Sequence, residues 1–310
     1  MSTSTSRHVR ASSERDRARS AVAEADSASG RVRWARPVDR HWRSEGYEGC
    51  LPDDFESRVW SIGGGDRRHA KQGRSTERVT LVGPAGVVSV YLKRHARLGL
   101  TARAAARLDP GGAHTPGEAE RRHLEHARAL GIRVPDVVAA GACFGPNFEA
   151  RSYLAVAELT GMTALHEAIP LLRARLDAGS FARFKGAMTA ALAEVAARLH
   201  GHHCFHQDLY LCHFFVDVEE AAAGRVEPTL IDWHRMVERR LTPLYKQAKD
   251  LAQLLYSTYE VEALDDVDRS RLTAAYTRAL GGGGHAALVW LAGWKTSRYL
   301  RHNRRSRPRV

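Results

Sequence analysis

Apolar and polar residues alternate along two segments in the first third of the chain. They are RVTLVG (78–83) and VVSVYLK (87–93), and the short connection PAG separates them. Alternation with a period of two is typical of half-buried strands, and a brief connection rich in Pro and Gly is typical of a hairpin. Two further segments, VVAAGAC and SYLAVAEL, have the composition of strands. The pattern therefore predicts a small β-sheet in this part of the chain.

Helical spacing replaces alternation in the rest of the chain. Apolar residues recur at steps of three and four at Phe181, Phe184, Met188, Leu192, Val195 and Leu199. This stripe predicts one long helix with a single buried face. Further helices are expected at about 117–130, 244–259, 264–280 and 285–303, with two short strands, HFFVDV and PTLID, around the turn EEAAAGRVE. The predicted fold is α+β, bilobal and protein-kinase-like, with a β-rich N-lobe containing one helix and a mainly helical C-lobe.

Composition divides the chain further. Residues 1–30 are rich in Ser, Ala and Arg and contain no aromatic residue, so we expect them to be disordered. We place the N-lobe at 31–158, the C-lobe at 159–303 and a basic tail at 304–310. No apolar run approaches the roughly 20 residues of a membrane-spanning helix, and the N-terminus lacks the apolar core of a signal peptide. The four cysteines form no C-x-x-C pair, so we expect neither a zinc site nor a disulfide framework. These features indicate a cytoplasmic protein.

Positive charge is concentrated at the C-terminal end. The net charge is +12, and no acidic residue follows Asp268, whereas Lys and Arg are frequent in WKTSRYLRHNRRSRPRV. Such a segment suits an anionic partner, either nucleic acid or the lipid head groups of a membrane surface, or it is a solvated tail. Because no zinc-finger, helix-turn-helix or RNA-binding signature is present, we expect no nucleic-acid partner.

Two carboxylates in the C-terminal half have the layout of a phosphoryl-transfer site. CFHQDLYLCHFFVDV contains Asp208 and His213, and TLIDWHR contains Asp232 at the end of an apolar run. Phosphoryl transfer needs one carboxylate that receives the proton of the acceptor hydroxyl and another that holds Mg²⁺ against the nucleotide phosphates. Asp208 suits the first role and Asp232 the second, with ATP and Mg²⁺ as the expected cofactors.

The loop around Asp208 keeps the spacing of the protein-kinase catalytic loop, H-R-D-x-x-x-x-N. Gln207 stands in place of the arginine, which indicates that no phosphorylated activation loop regulates this site. His213 stands in place of the metal-binding asparagine. Because Mg²⁺ prefers oxygen ligands, His213 either binds the metal or orients a water molecule or phosphate instead.

The two segments resemble the signature of the lipopolysaccharide core kinase family, which includes Kdo kinases and WaaP-type heptose kinases. Members carry H-R-D-x-Y-x-C-H-F and then L-I-D-x-H-R, which this chain matches at His206, Asp208, Tyr210, Cys212, His213, Phe214, Asp232, His234 and Arg235. The chain departs from the signature at Gln207. KDLAQLLYS resembles the K-D-L-A segment of the family, which implies that Asp250 lies on a helix and supports the catalytic loop. The resemblance also places His234 and Arg235 near the acceptor or the phosphates.

The residues expected to bind nucleotide are spread over the N-lobe. Lys93 ends the strand VVSVYLK and is the candidate for contact with the α- and β-phosphates. Glu120 on the next helix is its candidate partner, with Glu118 as the alternative. Within AELTG, Glu158 and Leu159 suit the hinge that holds adenine.

A glycine-containing loop is expected to cover the phosphates. Gly73, Arg74 and Ser75 lie twenty residues before Lys93, and backbone amides beside a glycine can approach phosphate closely. The rival loop at 63–65 lies farther from Lys93 along the chain.

The resemblance implies an ATP-dependent kinase that phosphorylates a sugar hydroxyl, of Kdo or heptose, in the lipopolysaccharide inner core or another envelope glycan. It would act at the cytoplasmic face of the inner membrane, where the basic C-terminus would contact anionic lipid. The first alternative is a small-molecule kinase of the aminoglycoside or choline type on the same fold. The second is a non-catalytic pseudokinase, which the presence of Lys93, Asp208 and Asp232 disfavours.

Overall fold

The computed structural model describes the chain from residue 39 to residue 306 with short gaps. The described ranges are 39–63, 67–71, 73–108, 114–146, 148–241, 243–283 and 285–306. Three sequence-based expectations therefore lie wholly or partly outside the described residues. They concern disorder at 1–30, the last two glycines of the 63–65 loop and the end of the basic tail at 307–310.

A six-stranded sheet is built around the predicted hairpin. Its strands are β1 (Arg40–Arg43), β2 (Arg67–Lys71), β3 (Arg74–Gly83), β4 (Gly86–His95), β5 (Val137–Phe144) and β6 (Ala150–Ala157), in the order β1-β5-β6-β4-β3-β2. β3 and β4 pair antiparallel from Arg74 opposite His95 to Gly83 opposite Gly86. Alternate residues of this hairpin are buried, as the pattern predicted: Val79 and Leu81 on β3 and Val90 and Leu92 on β4 face the core. The four strands predicted in this region are confirmed.

Three helices accompany this sheet where the sequence analysis expected one. They are α1 (Phe55–Arg58), α2 (Leu100–Leu108) and α3 (Pro116–Ala129). α3 is the predicted helix. The expectation of one helix was wrong, because it left out α1, a single turn of four residues, and α2, LTARAAARL, whose Ala, Leu and Arg residues are strong helix formers.

The rest of the chain is mainly helical, as predicted. Its helices are α4 (Leu165–Arg175), α5 (Ala178–Gly201), α6 (Val218–Ala222), α7 (Pro243–Thr258), α8 (Asp266–Ala279) and α9 (Ala286–Ser306). α5 begins after Asp177, whose carboxylate accepts hydrogen bonds from the amides of Gly179 and Ser180. The predicted apolar stripe of α5 is buried except at Val195, which is half-buried.

Two small sheets hold the ends of the segments that contain Asp208 and Asp232. β7 (Met162–Ala164), β9 (Phe214–Asp217) and β10 (Thr229–Leu230) form one sheet, and β8 (Cys204–Phe205) pairs with β11 (Val237–Glu238) in the other. Leu230 lies opposite Phe214, and Val237 lies opposite Phe205. The loop 206–213 and the segment 231–236 therefore begin and end in shared strand pairs, which keeps the two segments side by side.

The described residues form two compact units. The first contains those up to Ala119 together with Val138–Ala155, and the second contains Glu120–Val137 and the residues from Val156 onward. Most of α3 thus belongs to the unit that carries Asp208. Within the described ranges, no helix is both long and apolar enough to cross a lipid bilayer.

Candidate active site

Asp208 lies in the loop between β8 and β9, with its carboxylate held by an arginine. Nη1 of Arg235 donates hydrogen bonds to both carboxylate oxygens, at 2.9 and 3.0 Å. The Asp208 side chain is only 15% exposed, whereas that of Arg235 is 52% exposed. The carboxylate therefore has a defined orientation while its arginine partner remains accessible to an anionic ligand.

Asp250 on α7 supports the backbone of this loop. Its buried carboxylate accepts hydrogen bonds from the amides of His206 at 2.7 Å and Gln207 at 2.9 Å. His200 Nε2 lies 3.4 Å from the same carboxylate. Gln207 has a φ of 71°, a left-handed conformation that is uncommon outside glycine. The charged acceptor stabilises this conformation, and the supporting role expected for Asp250 is confirmed.

Two lysines on α7 contact Gln207. Its side-chain carbonyl oxygen accepts hydrogen bonds from Nζ of Lys246 at 2.8 Å and of Lys249 at 3.4 Å, and its backbone carbonyl accepts another from Lys249 at 2.7 Å. An arginine at this position could accept no hydrogen bond and would add a third cation. The lysines explain why glutamine occupies the place of the family's arginine.

One face of α7 carries most of the polar residues that hold the loop. Gln253 donates to the Gln207 carbonyl at 2.9 Å and to the Tyr210 hydroxyl at 3.0 Å, and Ser257 accepts from the Leu211 amide at 3.0 Å. The residues recur at helical spacing, at Lys246, Lys249, Asp250, Gln253 and Ser257. Of these residues, only Asp250 was expected from the sequence. Their spacing in KQAKDLAQLLYS was the signal that could have identified them.

His213 links the Asp208 loop to Asp232. Its Nδ1–H donates to the Asp208 carbonyl at 2.6 Å, and its Nε2 lies 3.8 Å from an Asp232 carboxylate oxygen. Burial opposes a charge on this ring, but the Cys212 side chain, the Asp208 carbonyl and the charge of Asp232 outweigh burial and raise the pKa of His213 to about 9. His213 therefore supports Asp232 electrostatically, and its role as a metal ligand stays a prediction.

Asp232 has an uncommon backbone conformation. Its φ of 66° and ψ of 60° lie in the left-handed region, just before a short 3₁₀ turn at Trp233–Arg235. His234 Nδ1 donates to one of its oxygens at 2.6 Å. A hard cation such as Mg²⁺ is commonly bound by one or two carboxylates together with substrate phosphates, so Asp232 fits that ion as a protein ligand. The left-handed conformation turns the side chain away from the regular course of the strand that precedes it.

Trp233 and His206 form the packed support behind these carboxylates. Both side chains are buried, with their rings edge to face and 5.1 Å between centroids. His206 Nε2–H donates to the Ile231 carbonyl at 3.0 Å, and burial lowers the pKa of His206 to about 4, so the ring is neutral. His123 on α3 donates to the Trp233 carbonyl at 2.9 Å. Trp233 thus has a packing role.

The residues predicted to bind phosphate lie near one another in the first unit. Gly73, with a φ of 79°, lies in the connection between β2 and β3, and its carbonyl accepts a hydrogen bond from the Ala96 amide at 2.8 Å. Ser75 is paired with Arg94, and the next residue of β3 is paired with Lys93. Gly73, Arg74 and Ser75 therefore lie beside the C-terminal end of the strand that carries Lys93.

The other predicted nucleotide residues belong to the second unit. Glu120 is buried on α3, and Glu158 and Leu159 directly follow β6. The alternative to Glu120, Glu118, makes an ion pair with Arg40 at 2.7 Å. The pairing of Lys93 with Glu120 and the contact of 158–159 with adenine stay predictions.

Comparison with known proteins identifies the family. The model of the lipopolysaccharide kinase (Kdo/WaaP) family matches residues 71–276. The lipopolysaccharide core heptose(I) kinase WaaP of Pseudomonas aeruginosa is 32% identical over 97 residues, which is 31% of this chain and 36% of that protein. The match therefore spans about a third of the length of that relative.

A solved structure shows the same fold. The structure described as WaaP in complex with acyl carrier protein superposes with a TM-score of 0.60 at 23% identity, covering 84% of this chain and 98% of that one. The protein-kinase-like fold expected from the sequence is confirmed by this match. Together with the family match over 71–276, it shows that this chain belongs to the lipopolysaccharide kinase (Kdo/WaaP) family.

Proposed function

We propose that this protein transfers the γ-phosphoryl group of ATP to a sugar hydroxyl of the lipopolysaccharide inner core. The observation that carries the proposal is the oriented Asp208 carboxylate, held by Arg235 in a loop that His213 links to Asp232. An oriented base and a separate carboxylate for a metal ion are the two protein groups that phosphoryl transfer to an alcohol requires.

Each residue has a role in this proposal. Asp208 orients the acceptor hydroxyl and accepts its proton as the bond to phosphorus forms. Asp232 binds Mg²⁺, which neutralises charge on the phosphates when it is bound. Arg235 and His234 contact the acceptor or the phosphates. Lys93 and Glu120 position the nucleotide.

The nucleotide-binding roles extend to two further segments. Gly73, Arg74 and Ser75 cover the phosphates with their backbone amides, and the segment 158–159 holds the base. These assignments rest on the order of the residues along the chain and on their match to kinase patterns.

We propose heptose as the first acceptor to test and Kdo as the second. The name of the curated relative, a heptose(I) kinase, favours heptose. Purified protein would be incubated with ATP, Mg²⁺ and deacylated core oligosaccharide that ends either in heptose or in Kdo. Mass spectrometry should detect one added phosphate on one of them. A protein that phosphorylates neither acceptor, but does phosphorylate choline or an aminoglycoside, would support the small-molecule alternative.

The solved relative suggests one protein partner. Because that structure contains WaaP in complex with acyl carrier protein, we propose that acyl carrier protein also binds this chain. Co-expression followed by affinity purification and size-exclusion chromatography should recover both proteins in one peak. Recovery of this chain alone, in soluble and monodisperse form, would contradict this partner without affecting the proposed reaction.

A further inference from the structure

The outer face of α9 exposes two tryptophans. Trp290 is 70% exposed and Trp294 is 43% exposed, and they lie one helical turn apart. The opposite face is packed, with Leu288 and Ala292 buried and the Thr296 hydroxyl 3.3 Å from the Ala252 carbonyl of α7. One side of α9 is thus packed against the protein, whereas Trp290 and Trp294 on the other side face solvent.

Arginines continue the same exposed face. Arg298 follows Trp294 by four residues, and its guanidinium lies over the Trp294 ring at 4.9 Å from the centroid. Arg301, also exposed, lies one turn beyond. No acidic residue follows Asp268, so no carboxylate from this part of the chain offsets these charges. The face changes from aromatic to cationic along the helix.

The start of α7 extends this surface. Leu241, two residues before α7, is 82% exposed, Leu244 and Tyr245 on α7 are also exposed, and Nζ of Lys295 lies over the Tyr245 ring at 3.9 Å from its centroid. Tyr245 is therefore beside α9. Exposed apolar side chains from two adjacent helices are unusual on a surface that contacts only water.

The same helix pair reaches the catalytic loop. The rings of Tyr256 on α7 and Tyr299 on α9 lie 5.8 Å apart, and Asn303 donates to the Tyr256 hydroxyl at 2.8 Å. One turn earlier on α7, Gln253 donates to the Gln207 carbonyl beside Asp208. α9 is therefore connected to the acceptor-binding loop by one layer of α7 side chains.

We propose that the outer face of α9, with the exposed start of α7, docks on an anionic lipid surface. Trp290 and Trp294 would lie at the boundary between head groups and acyl chains, where the amphipathic indole ring is favoured, and Arg298 and Arg301 would contact the head groups. The inference deepens the proposed function, because it identifies the surface by which a kinase reaches a lipid-anchored acceptor.

Lipid fits this face better than nucleic acid. On α9 the arginines follow the tryptophans toward the C-terminal end of the exposed face, and the Trp side chains at the other end suit insertion between lipids. A nucleic-acid site would instead require cations along a groove that tracks the phosphate backbone.

Vesicle co-sedimentation tests the proposal with the full chain. Vesicles of phosphatidylcholine alone would be compared with vesicles that also contain phosphatidylglycerol. We expect wild-type protein to sediment with the anionic vesicles. The double variant Trp290→Ala/Trp294→Ala should lose this binding at low and at high salt, because it lacks the inserted aromatic rings.

The variant Arg298→Gln/Arg301→Gln tests the cationic part. It should bind anionic vesicles about thirtyfold more weakly, because each basic residue near such a surface contributes about fivefold. Two matched controls should bind like wild type. The first, Val82→Ala/Val87→Ala, truncates two exposed apolar residues on the β3–β4 hairpin. The second, Arg271→Gln/Arg278→Gln, removes two positive charges from the exposed side of α8.

Quenching of wild-type tryptophan fluorescence by brominated lipids gives a measurement that needs no variant. Strong quenching in anionic vesicles supports insertion. Equal vesicle binding by wild type and the tryptophan variant would overturn the proposal, as would binding to an oligonucleotide in the absence of any vesicle binding. Sedimentation requires neither ATP nor acceptor. Vesicle binding without core phosphorylation would therefore refute the proposed reaction and leave the docking surface in place.

Discussion

Nη1 of Arg235 donates hydrogen bonds to both carboxylate oxygens of Asp208, at 2.9 and 3.0 Å. This contact places a cation beside the proposed base before any acceptor is present. An anionic acceptor would share the guanidinium with Asp208 and would thereby be drawn to the carboxylate that receives its proton. The pair thus couples acceptor binding to the orientation of the base.

Replacing Asp208 with Asn should remove catalysis and preserve nucleotide binding. Loss of a positioned base lowers the rate by about 10²- to 10⁴-fold, whereas the carboxamide retains the size of the side chain. Phosphate transfer and the dissociation constant of ATP would be measured on the same preparation. A variant that transfers phosphate at the wild-type rate would show that Asp208 is not the base.

Arg235→Lys should distinguish acceptor recognition from catalysis. Lysine keeps the charge but contacts a carboxylate through a single ammonium group, so we expect a higher KM for an anionic acceptor with a smaller change in the KM for ATP. Steady-state kinetics with each substrate varied in turn would measure both. Arg239→Lys, in an exposed position four residues later, provides a control. An unchanged acceptor KM in Arg235→Lys would contradict the recognition role.

Gln207→Arg should destabilise the protein even though it restores the arginine that the family signature contains. The new guanidinium would face Lys246 and Lys249, and neither lysine would keep its side-chain acceptor. Because both lysines are half-buried and Lys249 keeps its bond to the Gln207 backbone carbonyl, we expect a loss of about 1 kcal/mol, the low end of the cost of an unpaired buried donor. Urea unfolding would measure the loss.

A second substitution isolates the electrostatic part of this effect. Gln207→Arg/Lys246→Gln should recover part of the stability, because it removes one of the two repelling cations. Recovery by the second substitution distinguishes charge repulsion from a simple lack of space for arginine. No recovery at all would assign the destabilisation to packing.

Asp250→Asn should weaken both stability and turnover. The carboxylate accepts hydrogen bonds from two backbone amides and is buried, whereas an amide group can present only one oxygen to these donors. We expect a loss of about 1–3 kcal/mol in the free energy of unfolding and a lower kcat. Asp266→Asn, at an exposed position on α8, should change neither quantity.

His206 should make stability depend on pH below neutrality. Burial lowers the pKa of His206 to about 4 in the folded protein, against about 6.5 in the unfolded chain. Between these values the unfolded chain binds a proton that the folded protein excludes. This contribution is therefore fully present above pH 6.5 and is lost as the pH falls toward 4, with a slope of up to about 1.4 kcal/mol per pH unit.

Substitution of His206 shows whether this residue causes the pH dependence of the free energy of unfolding. Unfolding of His206→Phe should show a shallower slope over this range, whatever its absolute stability. His202→Gln, at an exposed position, should keep the wild-type slope. Identical slopes in all three proteins would place the titrating group elsewhere.

The sequence by itself determined the elements whose signal lies within one segment. The alternation in 78–93 predicted β3 and β4, and the stripe from Phe181 to Leu199 predicted α5. Each of these patterns spans enough residues to distinguish a period of two from a period of 3.6. The short strands on either side of the Asp208 loop span too few residues for their bounds to follow from a period. The residues around Asp208, His213 and Asp232 predicted a phosphoryl-transfer site, because each of the two segments is short and continuous in sequence.

Only the tertiary structure decided how these groups are supported. The partners of Gln207 lie 39 and 42 residues later in the chain, so no local pattern could explain why glutamine replaces arginine there. The exposure of Trp290 and Trp294 was equally hidden, because apolar residues on a helix are expected to face a core until the packing of the opposite side is known. Periodicity depends on the backbone of one segment. The contacts of a buried polar group, and the side of a helix left in solvent, depend on which other segments pack against it.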